Sequence, residues 1–368
     1  FGNKGGILFA ILNVLQLVGW TAVMISQGAG AVKTLLNESF EIPFANANSM
    51  FSFVLWCIVL ATLVAVWIFV GLKKFSKVAT CALALLALLM AVLSFKLFGG
   101  DFAANAADVT NVSAGAVSGG SFWVVFEMSV AMPLSWLPLI ADYTKNAEHP
   151  VAATATSAAV YTFTSLWMYA IGMAIAATSV PTLSGAVLAV GLGAVGVIIV
   201  IFSTVTTTFL DAYSAGESAK TIYRKLNAKW TGAAVCLVGA LLAISGIIER
   251  YTDFLYLIAS VFAPMAAVLI VSHYVVRRAD VFCKNANVFC KNAERGDQYA
   301  ECCNEKCAIK RRVQFAWNVF AWLAGFMAYQ LAGESTIGPS LTAILVSAGV
   351  AFFFCLPRLY RIIYRACT

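Results

Sequence analysis

Charge is scarce in this chain, histidine is scarcer, and no stretch pairs the residues that hydrolytic chemistry needs. Asp, Glu, Lys and Arg make up only 11% of the 368 residues, against about a quarter in a soluble domain, which excludes an ordinary water-soluble fold. The two histidines, His149 and His273, fall in a loop and near a helix end. No hydrophobic span sets a nucleophile beside a base, so an enzyme is not expected. Asp211 stands at membrane depth without a second aspartate, which removes a two-aspartate intramembrane hydrolase. Paired C-x2-C knuckles are missing around Cys283, Cys290, Cys302, Cys303 and Cys307, so a common zinc module is excluded and no metal site is expected. The Gly-rich GLGAVG at 191 to 196 has no strand before it; its glycines read as packing notches rather than a phosphate cradle.

What the chain has in quantity is apolar surface. Hydrophobic residues reach 61% and the mean hydropathy is +0.87. Stretches long enough to cross a bilayer recur at 7 to 32, 51 to 70, 78 to 98, 121 to 141, 151 to 177, 191 to 215, 229 to 248, 254 to 276, 314 to 332 and 338 to 356. Each runs about 20 residues, the length of a crossing helix, where a barrel strand would need about 10 of alternating polarity. The expected class is therefore an all-α polytopic membrane protein, one transmembrane domain over 1 to 368. With residue 1 in the cytoplasm, all of the 24 Lys and Arg except Lys33, Lys96 and Arg250 fall in or beside cytoplasmic segments. That bias predicts a cell (plasma or inner) membrane protein with both termini cytoplasmic, and it accounts for the net charge of +7 without any nucleic acid.

The sequence opens on Phe1 and enters a hydrophobic stretch at once, as if cut at its front end. The first span carries Asn13, Gln16, Trp20 and Gln27 along one side at helical spacing. In the fourth span Pro133 and Pro138 predict a kink or opening near Ser135 and Trp136, and such a break would free carbonyls for an ion or polar solute. Glu127 lies two turns toward the outside, where it reads as an interfacial residue. Pro264 predicts a bend in the eighth span. Between 280 and 312 a Cys-rich cytoplasmic loop contains VFCKNAN followed at once by VFCKNA, which reads as an inserted duplication in an exposed loop.

The sixth span is the unusual one. Within FSTVTTTFLDAYSAGES, Thr204, Thr207, Asp211, Ser214 and Ser218 fall at spacings of three and four, a narrow polar stripe on an apolar rod. A carboxylate near the bilayer centre costs about 3 kcal/mol or more and marks a cavity, an ion path or a partner. The alternative is that the hydroxyls bond their own i−4 carbonyls and Asp211 reaches water. Two mid-span tryptophans, hydroxyl oxygens and one acid suit a flat polar solute and a small hard cation.

Gly19-Trp20, SWLPLIADYTKNA at 135 to 147, FSTVTTTFLDAYSAG at 202 to 216 and SVFAPMAAVLI at 260 to 270 resemble the nucleobase:cation symporter family, most closely its CytX-type branch associated with hydroxymethylpyrimidine, a thiamine precursor. The resemblance implies a LeuT-type bundle of twelve helices, ten in an inverted repeat, with this chain beginning at the third. It implies a secondary transporter with Na+ or H+ as coupling ion and no other cofactor. Trp20 and Trp136 would sandwich the ring beside Ser135, with Thr208 and Asp211 as polar contacts. Met24 stands where the hydantoin-transporting relative has a glutamine, which argues against hydantoin. Ser203 through its carbonyl, with the Thr206 and Thr207 hydroxyls, would hold the cation. A cytosine or purine permease of the same family, and a non-transporting membrane binding fragment, remain as alternatives.

Overall fold

Inside a bilayer every backbone N–H and C=O must be satisfied within the protein, and a helix does so within one segment. The apolar stretches accordingly form helices in the computed structural model, which describes residues 2–40, 50–70, 72–99, 122–144, 147–176, 182–276, 297–333 and 337–367. They are α1 (Gly2–Phe40), α2 (Met50–Val70), α3 (Leu72–Gly99), α4 (Phe122–Thr144), α5 (Pro150–Ala176), the short α6 (Leu183–Ala189), α7 (Gly193–Ile222), α8 (Ala228–Ile244), α9 (Tyr251–Val271), α10 (Asp297–Ala332) and α11 (Pro339–Cys367). Among the described residues six helical segments are long and apolar enough to cross a membrane, and α4, α8 and α11 carry shorter apolar stretches. The protein is an all-helical, multi-pass membrane protein. The start of α10 at Asp297 puts helical backbone within the segment read as the Cys-rich loop; Cys283, Cys290 and the duplicated motif lie outside the described residues.

The chain forms two compact units. One contains residues 10–119 and 140–251, and so α1 beyond its first residues, α2, α3, α5, α6, α7 and α8. Its helices approach closely because glycines stand at the crossings. A Cβ on Gly216 of α7 would run into the Ala228 carbonyl of α8, one on Gly232 would lie 3.0 Å from the Ala212 carbonyl, and one on Gly239 would meet Thr21 Cγ2 at 2.8 Å. Small residues at such contacts let helices pack where lipid removes the hydrophobic drive between them. Leu89, Met90, Leu93, Ile171, Val187, Val197 and Val200 form an apolar core joining α3, α5, α6 and α7. Of the GLGAVG glycines only Gly196 is a packing notch, where an added Cβ would lie 2.5 Å from Val187 Cγ1. Gly191 and Gly193 have φ of 77° and 64° and open space around their Cα atoms. They make the turn between α6 and α7, a conformation that favours glycine.

The other unit contains residues 1–9, 120–139 and 252–368. Gly325 of α10 sits against Pro264 of α9 and Ser347 of α11, with no room for a Cβ, and Trp322 donates its indole N–H to the Val261 carbonyl at 2.9 Å. α4 does not open at its prolines: the helix is continuous through Pro133 and Pro138, and α9 is likewise continuous through Pro264. Each proline withdraws its own amide from the ladder and crowds the carbonyl four residues before it, without ending the helix. The Ser135 hydroxyl donates to the Met132 carbonyl at 2.6 Å in the turn between the two prolines. Glu127 is not at an interface with water. It is 2% exposed and accepts from the Ser340 amide at 2.7 Å, the Ser340 hydroxyl at 2.5 Å and the Tyr329 hydroxyl at 3.3 Å.

Candidate functional site

The polar stripe of α7 coincides with the face of that helix that packing leaves partly open. Thr204, Thr207, Asp211, Ser214 and Ser218 are all half-buried, while Val205, Thr206, Thr208, Phe209, Ala212, Ala215 and Gly216 are buried. Opposite the stripe runs α1. The Asn13 side-chain amide donates to the Ser218 hydroxyl at 2.8 Å, and Gly28 packs within 3.4 Å (Cβ position) of Thr204 Cγ2. Those two contacts define an antiparallel register in which Trp20 lies level with Asp211, each about two turns from the contacts on its own helix. Asp211 follows Thr204 by seven residues and precedes Ser218 by seven, so it shares the face that meets α1. No hydrogen bond or ion pair reaches its carboxylate among the described residues.

Around this acid the seam is tiled by polar groups. Gln16 donates to the Asn13 side-chain oxygen at 2.7 Å, extending the Asn13–Ser218 link along α1; both residues are buried, whereas Gln27, read on the same side, is exposed. Trp20 is 6% exposed and meets the edge of Tyr251 at 6.1 Å between ring centroids. Met24 is half-buried one turn further along α1.

The α7 hydroxyls bond carbonyls of their own helix, as the conservative expectation held: Thr204 to Val200 at 2.9 Å, Thr208 to Thr204 at 2.7 Å, and Thr206 and Thr207 both to Ser203, at 2.7 and 3.1 Å. Such bonds use the hydroxyl hydrogen and leave oxygen lone pairs available. The Ser203 carbonyl oxygen therefore has two hydroxyl oxygens, those of Thr206 and Thr207, within hydrogen-bonding distance of it. Hard oxygen donors of this kind suit a small alkali or alkaline-earth cation.

Ser135 and Trp136 belong to the other unit. Glu127, Ala131 and Ser135, four residues apart, form the buried stripe of α4, and Trp136 is 39% exposed. Sequence reading missed the bonded state of Glu127 and the Asn13–Ser218 link because their partners lie more than 200 residues away in the chain.

Helices of this length and apolarity define a multi-pass membrane protein, here with an acid and several hydroxyl oxygens along a half-buried seam. Residues 1–300 match the family described as permeases for cytosine/purines, uracil, thiamine and allantoin. The chain belongs to that family, a family of transporters and not of enzymes. No curated protein matches the chain.

Proposed function

We propose that the protein imports hydroxymethylpyrimidine or a closely related pyrimidine across the cell membrane by symport with Na+ or H+. One observation carries the reading: the Asn13–Ser218 and Gly28–Thr204 contacts set Asp211, which no donor reaches among the described residues, level with Trp20 across the α1–α7 seam. A ring with an aminopyrimidine edge offers both complements, N–H donors for the carboxylate and a π face for the indole. Thr208 stands one turn from Asp211 as a further polar contact. Trp136 and Ser135 enter as substrate contacts on the sequence resemblance alone. Met24 offers no hydrogen bond where a hydantoin would need one. The cation is held by Ser203, Thr206 and Thr207, and alternating access moves ring and ion together. The family description includes cytosine and purines, which makes a cytosine or purine permease the second reading.

Uptake of labelled hydroxymethylpyrimidine, competed by cytosine, uracil, adenine and hydantoin, separates the two. Hydroxymethylpyrimidine as the strongest competitor supports the first, and cytosine or adenine as the strongest replaces it. In the same assay Asp211→Asn keeps the size of the side chain but loses the charge, and it abolishes uptake while the protein still reaches the membrane. Unchanged uptake removes Asp211 from the site.

A further inference from the structure

A fully buried carboxylate in a hydrophobic bundle is costly unless its oxygens are met by donors, and Glu127 is met on both. Oε1 accepts from the Ser340 backbone amide, and Oε2 accepts from the Ser340 and Tyr329 hydroxyls. Ser340 is the second residue of α11, where backbone amides have no partner within their own helix and the helix dipole favours an anion. Glu127 therefore serves as a cap contributed by a different helix. The corner is shaped around it: a Cβ on Gly338 would lie 2.9 Å from Glu127 Oε1 and 2.8 Å from the Trp123 ring. All of these residues lie in one unit.

The same helix carries Trp136. In a helix continuous from Phe122 to Thr144, the nine positions between Glu127 and Trp136 amount to about 13 Å of rise and about 180° of turn. The two side chains thus project from opposite faces. The stripe of Glu127, Ala131 and Ser135 is buried while Trp136 stands open. The apolar packing of α4 is close but non-directional. A carboxylate bonded to a helix terminus has one register.

We infer that Glu127 is a positioning residue: by bonding α4 to the first turn of α11 and to Tyr329 of α10, it sets the axial height and rotation at which Trp136 is presented to the solute. This rests on Trp136 being a substrate contact, so the test keeps the two apart. Uptake kinetics are measured for Glu127→Ala, Glu127→Gln, Gly338→Ala and Trp136→Ala, normalised to protein in the membrane, alongside hydrogen exchange of the Ser340 amide. A packing defect lowers the amount of protein or its maximal rate. A misplaced Trp136 instead raises the half-saturating substrate concentration, by about tenfold for Glu127→Ala, with the maximal rate within about threefold of wild type. Gly338→Ala, which displaces the carboxylate without removing it, shifts the same parameter in the same direction, and Ser340 exchange quickens in both. If Glu127→Ala fails to insert, Glu127→Gln, which keeps one acceptor oxygen, and Gly338→Ala carry the same readout. Faster Ser340 exchange with an unchanged half-saturating concentration overturns the positioning role. Wild-type kinetics in Trp136→Ala overturn the reading of Trp136 as a contact, whereas a defect there with none in the Glu127 and Gly338 variants overturns the inference alone.

Discussion

Thr207 and Thr62 make the same kind of hydrogen bond in different surroundings. Thr62 donates to the Ile58 carbonyl at 2.7 Å on the exposed face of α2, and Thr207 donates to Ser203 at 3.1 Å on the half-open face of α7. The bond itself says nothing of function; what surrounds the oxygen does. Beside Thr207 a second hydroxyl, that of Thr206, shares the same carbonyl. If these oxygens hold the coupling cation, Thr207→Ala removes one ligand and raises the sodium concentration for half-maximal uptake about tenfold, while Thr62→Ala leaves it unchanged. The comparison is made by sodium titration of initial rates, and a wild type indifferent to sodium assigns coupling to protons. The hydroxyl cluster was legible in the sequence because Thr and Ser are conspicuous in an apolar run. Which hydroxyls share an acceptor was not, because that depends on rotamers.

At the scale of helices, crossings depend on what stands at the point of closest approach. Gly216 faces a backbone carbonyl of α8, which cannot move aside, whereas Gly28 faces the terminal methyl of Leu60, 2.9 Å from where its Cβ would lie. Gly216→Ala forces α7 and α8 apart and costs about 1 to 3 kcal/mol. Gly28→Ala is relieved by a change in the Leu60 rotamer and costs less than about 1 kcal/mol. Thermal unfolding of the two variants in detergent gives the order, with Gly216→Ala melting lower. The span boundaries followed from hydropathy, but the role of each glycine did not. In GLGAVG one glycine is a notch and two make a turn, since a Gly–x–Gly spacing serves a helix face and a reverse turn equally well. The two prolines of α4 were legible as residues that remove donors. Whether the helix breaks depends on its neighbours, and here the packed stripe of Glu127, Ala131 and Ser135 runs past both the bonded corner and Pro133.

For the whole molecule, the orientation proposed from the charge bias would put the turn between α7 and α8 in the cytoplasm. Arg224 and Lys225 are exposed there, in the five-residue stretch 223 to 227 that ends at the Asn227 cap. Trypsin therefore cuts after Arg224 or Lys225 in inside-out vesicles and spares that site in intact cells; the reverse pattern inverts the orientation. The number and extent of the apolar stretches, the helical class and the polar stripe of α7 could all be read from residue order, because hydrophobicity and helical period are local properties repeated over each segment. Membership of the permease family was also within reach of the motifs, whose spacing lies within single helices. Three features came from the folded chain alone: the level of Asp211 against Trp20, the bonding of Glu127 to Ser340 and Tyr329, and the link from Asn13 to Ser218. Each joins residues on different helices, and no local pattern encodes register between segments 200 positions apart. A helix can slide or turn against its neighbour without altering its own hydrogen bonds, so only close packing and the buried polar pairs select one arrangement.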